Sequence, residues 1–301
     1  MNKKWSALRE NVLKWTFGTL AYTSLFVLLA ITFVLFQQGL PLFSRVNAWE
    51  FFTGIHWYPT HEEHPEYGIL PIIVASLCTT AGAMVVCVPL GVGSALYLNE
   101  IASFRQRAVL KPVIELLAGI PSIVFGFFGM VVVAPFVQKL LHIPVGLNLF
   151  TASLILGIMA IPTVCSLSED ALSFVPRSFR EASYALGANR WQTLTQVVFP
   201  AAGSGISTAI ILGMSRAIGE TMTVLMVAGN SAIIPRSIFD PVRPMTSTIA
   251  AEMGEAVIGS THYHALFAIG LILFIITFTF NILAEACLLY TSDAADDLLC
   301  V

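Results

Sequence analysis

The stretch Arg180-Glu181-Ala182-Ser183-Tyr184-Ala185-Leu186-Gly187 is followed, nine residues later, by Val197-Val198-Phe199-Pro200. It is polar and charged, and long apolar runs flank it on both sides. A segment of this composition cannot cross lipid, so between two spans it reads as a helical docking element outside the bilayer. Glu181 to Gly187 makes about two turns at about 3.6 residues per turn. Gly187 suits the position just past a helix end, where a positive φ is needed, and a second helical start is predicted near Trp191. Ala182 and Ser183 are small enough to let a partner surface approach closely.

The flanking composition agrees. Hydrophobic residues make up 56% of the 301 and charged residues 11%, against about 25% charged in soluble domains. A spanning helix needs about 20 mostly apolar residues, and six runs qualify, at about 17–36, 68–98, 113–137, 150–168, 204–229 and 264–285. The expected fold is all-α: a polytopic membrane protein of about six transmembrane helices. The second run is long enough for a tilted span with an extension, or for a helix broken at Pro89-Leu90-Gly91. The third contains Gly119, Pro121, Gly126 and Gly129, which mark a kink or re-entrant break and a hinge at Gly119, Pro121 and Gly126. The apolar core of run 17–36 exceeds the ~7–15 residues of a signal peptide, so it reads as a retained first helix.

Lys and Arg set the orientation. With the N-terminus inside, the inner segments hold Lys3, Lys4, Arg9, Lys14, Arg105, Arg107, Lys111, Arg177, Arg180 and Arg190, and the outer loops hold Arg45, Lys139, Arg236 and Arg243. Ten against four places both termini and the 169–203 loop in the cytoplasm. The organisation expected is an N-terminal helix and outer loop over 1–67, a transmembrane core over 68–285, and a tail over 286–301. The outer loop carries Trp49, Trp57, Tyr58, Glu62, Glu63 and Glu66, a set that suits either interfacial anchoring, the simpler reading, or contact with a soluble delivery protein. The tail has Asp293, Asp296 and Asp297 and no base, and reads as a non-native addition to which no function is assigned.

Few residues carry chemistry. The five cysteines form no CxxC or metal-ligand spacing and the six histidines no HExxH. His56, His61, His64, His142, His262 and His264 fall between apolar runs and read as solvated loop residues. Arg216 and Glu220 lie midway along the fifth run, in Ser215-Arg216-Ala217-Ile218-Gly219-Glu220-Thr221. Four residues apart on a helix they share a face, within pairing reach. Ionisable groups at such depth are costly and face a bundle interior or a water-filled path. One reading is a self-neutralising structural pair. The other, which the chemistry favours, has Arg216 facing a translocation path, since a guanidinium holds an oxyanion through two parallel N–H bonds. Glu220 and Thr221 would then line that path. Glu115 is a lesser candidate at the inner end of the third run.

The pattern Glu181-Ala182-Ser183 through Gly187 to Pro200 resembles the EAA loop of ABC-importer permeases, in which this loop is the short coupling helix that docks on the ATPase. Ser183 stands where that motif often has a second Ala. Arg216-Ala217-Ile218-Gly219-Glu220-Thr221-Met222-Thr223-Val224, followed by Ala228-Gly229-Asn230, resembles the fifth-helix signature of phosphate importer permeases of the PstC type. Leu117 to Gly126 and Tyr67-Gly68-Ile69-Leu70-Pro71 resemble the same type, and the likeness runs from about 67 to 285. The resemblance implies the ABC type I importer permease fold in a bacterial inner membrane. It implies a PstA-like second permease, a cytoplasmic ATPase dimer and an extracytoplasmic phosphate-binding protein as partners. It gives Arg180, Glu181, Ala182, Ser183, Gly187 and Pro200 to ATPase coupling. ATP and Mg would sit on the ATPase, because this chain has no GxxxxGK[ST] segment and is expected to bind no cofactor. Lipid is the expected surround, with no nucleic-acid partner. A permease for molybdate, sulfate or an organic solute would share the loop. An intramembrane enzyme would need a catalytic set that is absent, and an ion-driven transporter often shows internal repeats, which are not seen.

Overall fold

The computed structural model describes residues 3–61 and 63–297, and side chains over 12–61 and 63–287. α1 (Lys3–Gly39) and a 3-10 turn (Leu40–Ser44) lead to α2 (Ala48–Thr53), which is started by the Asn47 side chain accepting from Trp49 N. A two-residue antiparallel pair, β1 (Trp57–Tyr58) with β2 (Glu66–Tyr67), precedes α3 (Leu70–Leu96). α4 (Phe104–Ala118), α5 (Ser122–Phe128), α6 (Ala134–Leu141) and α7 (Leu149–Phe174) follow. Then come α8 (Arg177–Ala185), α9 (Arg190–Thr193), α10 (Phe199–Ala201), α11 (Gly203–Ile218), α12 (Met222–Val227), α13 (Met245–Glu252) and α14 (Thr261–Asp297).

Among the described residues five helices are long and apolar enough to cross a membrane: Val12–Ser44, Leu70–Ile101, Ser122–Leu141, Leu149–Phe174 and Thr261–Cys287. A sixth arises if Arg190–Ala201 and Gly203–Ile218, bent by 66°, count as one. The third expected span is redrawn. α4 ends at Ala118 and α5 begins at Ser122, so 113–118 belongs to a separate helix and the span starts after the break. Pro121 disfavours helical backbone at Ile120 and fixes the break there. α3, by contrast, runs unbroken through Pro89. α4 begins on a full capping box, Ser103 with Gln106.

α3 and α7 form the centre. Their close approach rests on glycine: a Cβ at Gly82 would sit 2.4 Å from Ser153 Oγ, and one at Gly157 would sit 2.8 Å from the Ala83 carbonyl oxygen. Small residues serve this purpose where helices pack by contact rather than by expulsion of water. Ala83, Cys87, Leu156, Ala160 and Val164 fill the seam. A second core at the opposite end gathers Leu42, Phe51, Trp57, Ile69, Met245 and Leu266, and so fastens the 37–67 loop to α13 and α14. α1 packs on α14, with Gly39 against Ala268, and from Val12 onward leaves most of its apolar side chains exposed, as a lipid-facing helix does.

Candidate functional site

α11 stops at Ile218, and Gly219-Glu220-Thr221 separates it from α12. The expectation of one continuous helix over 204–229, with Arg216 and Glu220 paired across a turn, is therefore corrected. Among the described residues no ion pair joins the two. Arg216 is exposed, and its Nη1 donates to Thr163 Oγ1 on α7 at 3.0 Å. The Glu220 carboxylate accepts from Thr223 N at 3.3 Å and so caps the first turn of α12. The Glu220 carbonyl accepts from Thr246 Oγ1 at 2.7 Å. These bonds, with Gly219 at the α11 end, replace the helical ladder and account for the break. Thr221 is half-buried, with Oγ1 3.4 Å from the Gly219 carbonyl.

Behind the break lies a recess lined by Ser76, Thr79 and Thr80 of α3, Glu220, Val224 and Thr246, with a volume of about 10 Å³. That is room for about one water molecule. The hydroxyls of Ser76, Thr79 and Thr80 donate to the carbonyls of Ile72, Ala75 and Ser76 on their own helix. Hydroxyl rotors bonded this way can turn toward another acceptor. An exposed, permanent cation thus lies four residues before Glu220, which helps line this small recess with the α3 hydroxyls.

The break at Gly119–Pro121 separates α4 from α5. Gly126 lies inside α5, not at a break. A Cβ there would meet Met226 Sδ at 3.0 Å and Thr223 Cα at 3.1 Å, so it lets α5 press against α12.

In the 177–200 segment, α8 ends as its sequence requires. Gly187 takes φ +87°, Gly187 N donates to the Tyr184 carbonyl and Ala188 N to the Ser183 carbonyl. Asn189 and Gln192 cap α9 reciprocally, and Pro200 sits in the first turn of α10. Glu181, Ala182 and Pro200 are exposed, as are Phe179, Tyr184, Leu186 and Trp191. Ser183 is not: it is buried, 2.9 Å from Thr193 Oγ1, and joins α8 to α9 instead of meeting a partner. Arg180 also turns inward, onto Glu100 at 2.6 Å and onto the carbonyls of Val175 and Leu172.

Three polar clusters escaped the sequence reading. Glu169, 1% exposed on α7, meets Arg107 and Lys111 of α4. Hydrogen bonding to Glu169 pushes the Lys111 ammonium above its usual pKa, against the opposing effect of desolvation. Glu100, in a π-turn at Tyr97–Ile101, meets Arg180. Glu252 accepts from Trp57 Nε1, Arg243 Nη1 at 2.6 Å and His262 Nε2 at 2.9 Å. His262 and His264 are thus buried in the first turns of α14 and not solvated; His264 Nδ1 lies 2.7 Å from the Gln38 carbonyl. Trp57 is 2% exposed where the sequence suggested an interfacial anchor, whereas Trp49 is 77% exposed. Glu62 lies outside the described residues. Beside this cluster, burial pushes the Tyr67 phenol up, offset by its bond with Thr261.

Residues 87–288 match the family described as the binding-protein-dependent transport system inner membrane component. The chain belongs to this family. Among curated relatives of this membrane transport component is the probable ABC transporter permease protein YqgH of Bacillus subtilis, 42% identical over 84% of this chain and 82% of its own. The phosphate transport system permease protein PstC of Haemophilus influenzae is 33% identical over 89% of both chains. Solved structures share the fold. A bacterial alginate ABC transporter chain aligns with TM-score 0.62 at 13% identity, over 94% of this chain and 96% of its own. A chain of the MetNI methionine ABC transporter aligns with TM-score 0.53 at 20% identity, over 73% of this chain and 94% of its own. The all-α permease fold is therefore that of ABC importers.

Proposed function

We propose that this chain is a membrane permease of an ATP-driven importer of inorganic phosphate, and that Arg216 stands on the path of the anion. The observation that carries the reading is the exposed Arg216 at the end of α11, beside a helix break and a hydroxyl-lined recess. A guanidinium keeps its charge and offers parallel donors to phosphate. Relatives named PstC phosphate transport permeases, 33–36% identical over 73–89% of this chain, support phosphate over other solutes. The exposed face of α8, with Glu181, Ala182 and Leu186 ending in Gly187, is the surface offered to a cytoplasmic ATPase dimer. ATP and Mg belong to that ATPase. A PstA-like permease completes the path, an extracytoplasmic phosphate-binding protein delivers the ion, and both termini lie in the cytoplasm.

The test is labelled-phosphate uptake in proteoliposomes holding this chain, its second permease and the ATPase, with ATP enclosed and the binding protein and labelled phosphate added outside. ATP-dependent uptake that excess molybdate and sulfate fail to inhibit supports the reading. ATP hydrolysis stimulated by the binding protein without phosphate uptake would keep the permease and refute the substrate.

A further inference from the structure

The Arg180 side chain is bound on three sides. Nε and Nη2 donate to Glu100 Oε1 at 3.1 and 2.6 Å, Nη1 donates to the Val175 carbonyl at 2.8 Å, and Nη2 also reaches the Leu172 carbonyl at 3.2 Å. Both charged side chains are mostly shielded, at 17% and 13% exposure. The two carbonyls lie at the α7 end, where a helix leaves its last acceptors unsatisfied. Arg180 thus fastens α8 to the ends of α7 and α3 together. A further bond, Asn99 Nδ2 to Ser173 Oγ at 2.7 Å, ties those two ends to each other.

Glu100 occupies a π-turn that continues α3 directly. Such turns interrupt the regular ladder and recur at functional positions. About 30 Å up α3, at about 1.5 Å per residue, Ser76, Thr79 and Thr80 line the recess with Glu220. One helix therefore connects the grip on α8 with the wall of the recess. Packing alone does not explain a shielded carboxylate there, because an unpaired buried charge is strongly unfavourable and an apolar residue would pack as well.

We infer that Glu100 is a positioning residue whose bond with Arg180 passes displacement of the docking helix α8 into α3, and through α3 to the recess. The inference rests on the reading of this chain as an ATPase-coupled permease. A fork-shaped donor gripping two helix ends moves both when α8 moves, whereas apolar contact would let α8 slide.

The test uses the whole complex in proteoliposomes and compares basal ATP hydrolysis with hydrolysis stimulated by the substrate-loaded binding protein. For Glu100→Gln the complex assembles and basal hydrolysis stays near that of the unaltered complex, but stimulation falls about tenfold, a usual size for coupling between sites. Arg180→Lys keeps the charge but not the fork, and loses stimulation to a smaller degree. Unchanged stimulation in both assembled variants overturns the inference. So does loss of assembly in both, which would make the contact a structural brace only. The binding protein is used with the solute it retains on purification, so the readout does not depend on that solute being phosphate. Absence of phosphate uptake by the unaltered complex would refute the phosphate reading and leave this measurement standing.

Discussion

Glu169→Gln removes one charge from the contact between α4 and α7 and leaves the shape almost unchanged. Glu169 is 1% exposed, and its two carboxylate oxygens serve Arg107 Nη2 and Lys111 Nζ. Breaking a buried ion pair costs about 3–5 kcal/mol when the abandoned charge stays buried. Here the abandoned cations are on side chains 41% and 35% exposed, and water can take them up. The amide also turns an N–H₂ toward one cation. The net cost is then about 1–3 kcal/mol, which corresponds to about 5- to 150-fold more frequent opening of α4. Amide hydrogen exchange over 104–118 in the assembled complex reads this directly, with α11 as internal reference. The Lys111 pKa is raised above 10.5 in the folded chain, so its contribution is fully present below that value and fades only as pH passes the raised one. Corrected protection of α4 should accordingly be flat from neutral to mildly alkaline pH. Unchanged exchange over 104–118 in Glu169→Gln would refute the argument that this carboxylate holds α4 in place.

A Cβ at Gly187 would meet no atom within 4 Å, so the main penalty of Gly187→Val is conformational: a φ of +87° strains an L residue by about 1–2 kcal/mol, and more with a branched side chain. ATP hydrolysis by the variant complex should detach from uptake, checked by measuring both in one preparation. Gly157→Ala drives a Cβ to 2.8 Å from the Ala83 carbonyl oxygen and 2.9 Å from Val86 Cβ. Overpacking of this kind costs about 1–3 kcal/mol and should lower the thermal midpoint of the purified complex. Glu252→Gln leaves Arg243 and His262 without their shared anion, at about 1–3 kcal/mol. The loop around Trp57 should loosen, seen as a red-shifted indole emission.

What the sequence displayed depended on how local each interaction is. The turn at Gly187 and the restart at α9 depend on residues within one or two turns, and the structure matches the reading there. The division at Gly119–Pro121 was visible for the same reason, but hydropathy alone merged α4 with the span that follows it. The break after Ile218 was hidden because Thr246, from 26 positions onward, supplies the hydroxyl that takes the Glu220 carbonyl. Glu169 looked like the polar end of an apolar run, since its cations come from 58 and 62 positions earlier. Arg180 and Ser183 sit within the docking pattern, and composition cannot say which face of so short a helix turns inward. His262 and His264 read as loop residues because their partners, Glu252 and the Gln38 carbonyl, come together only in the folded chain.

The central claim is that an anion passes Arg216 in a phosphate importer. Its most direct test is labelled-phosphate uptake by proteoliposomes containing equal amounts of assembled complex with either the unaltered chain or Arg216→Gln. The account predicts ATP-dependent uptake in the first and none above background in the second, with the ATPase still bound. Uptake at the full rate by Arg216→Gln would remove Arg216 from the path. Absence of phosphate uptake by the unaltered complex would contradict the assignment of phosphate as the cargo.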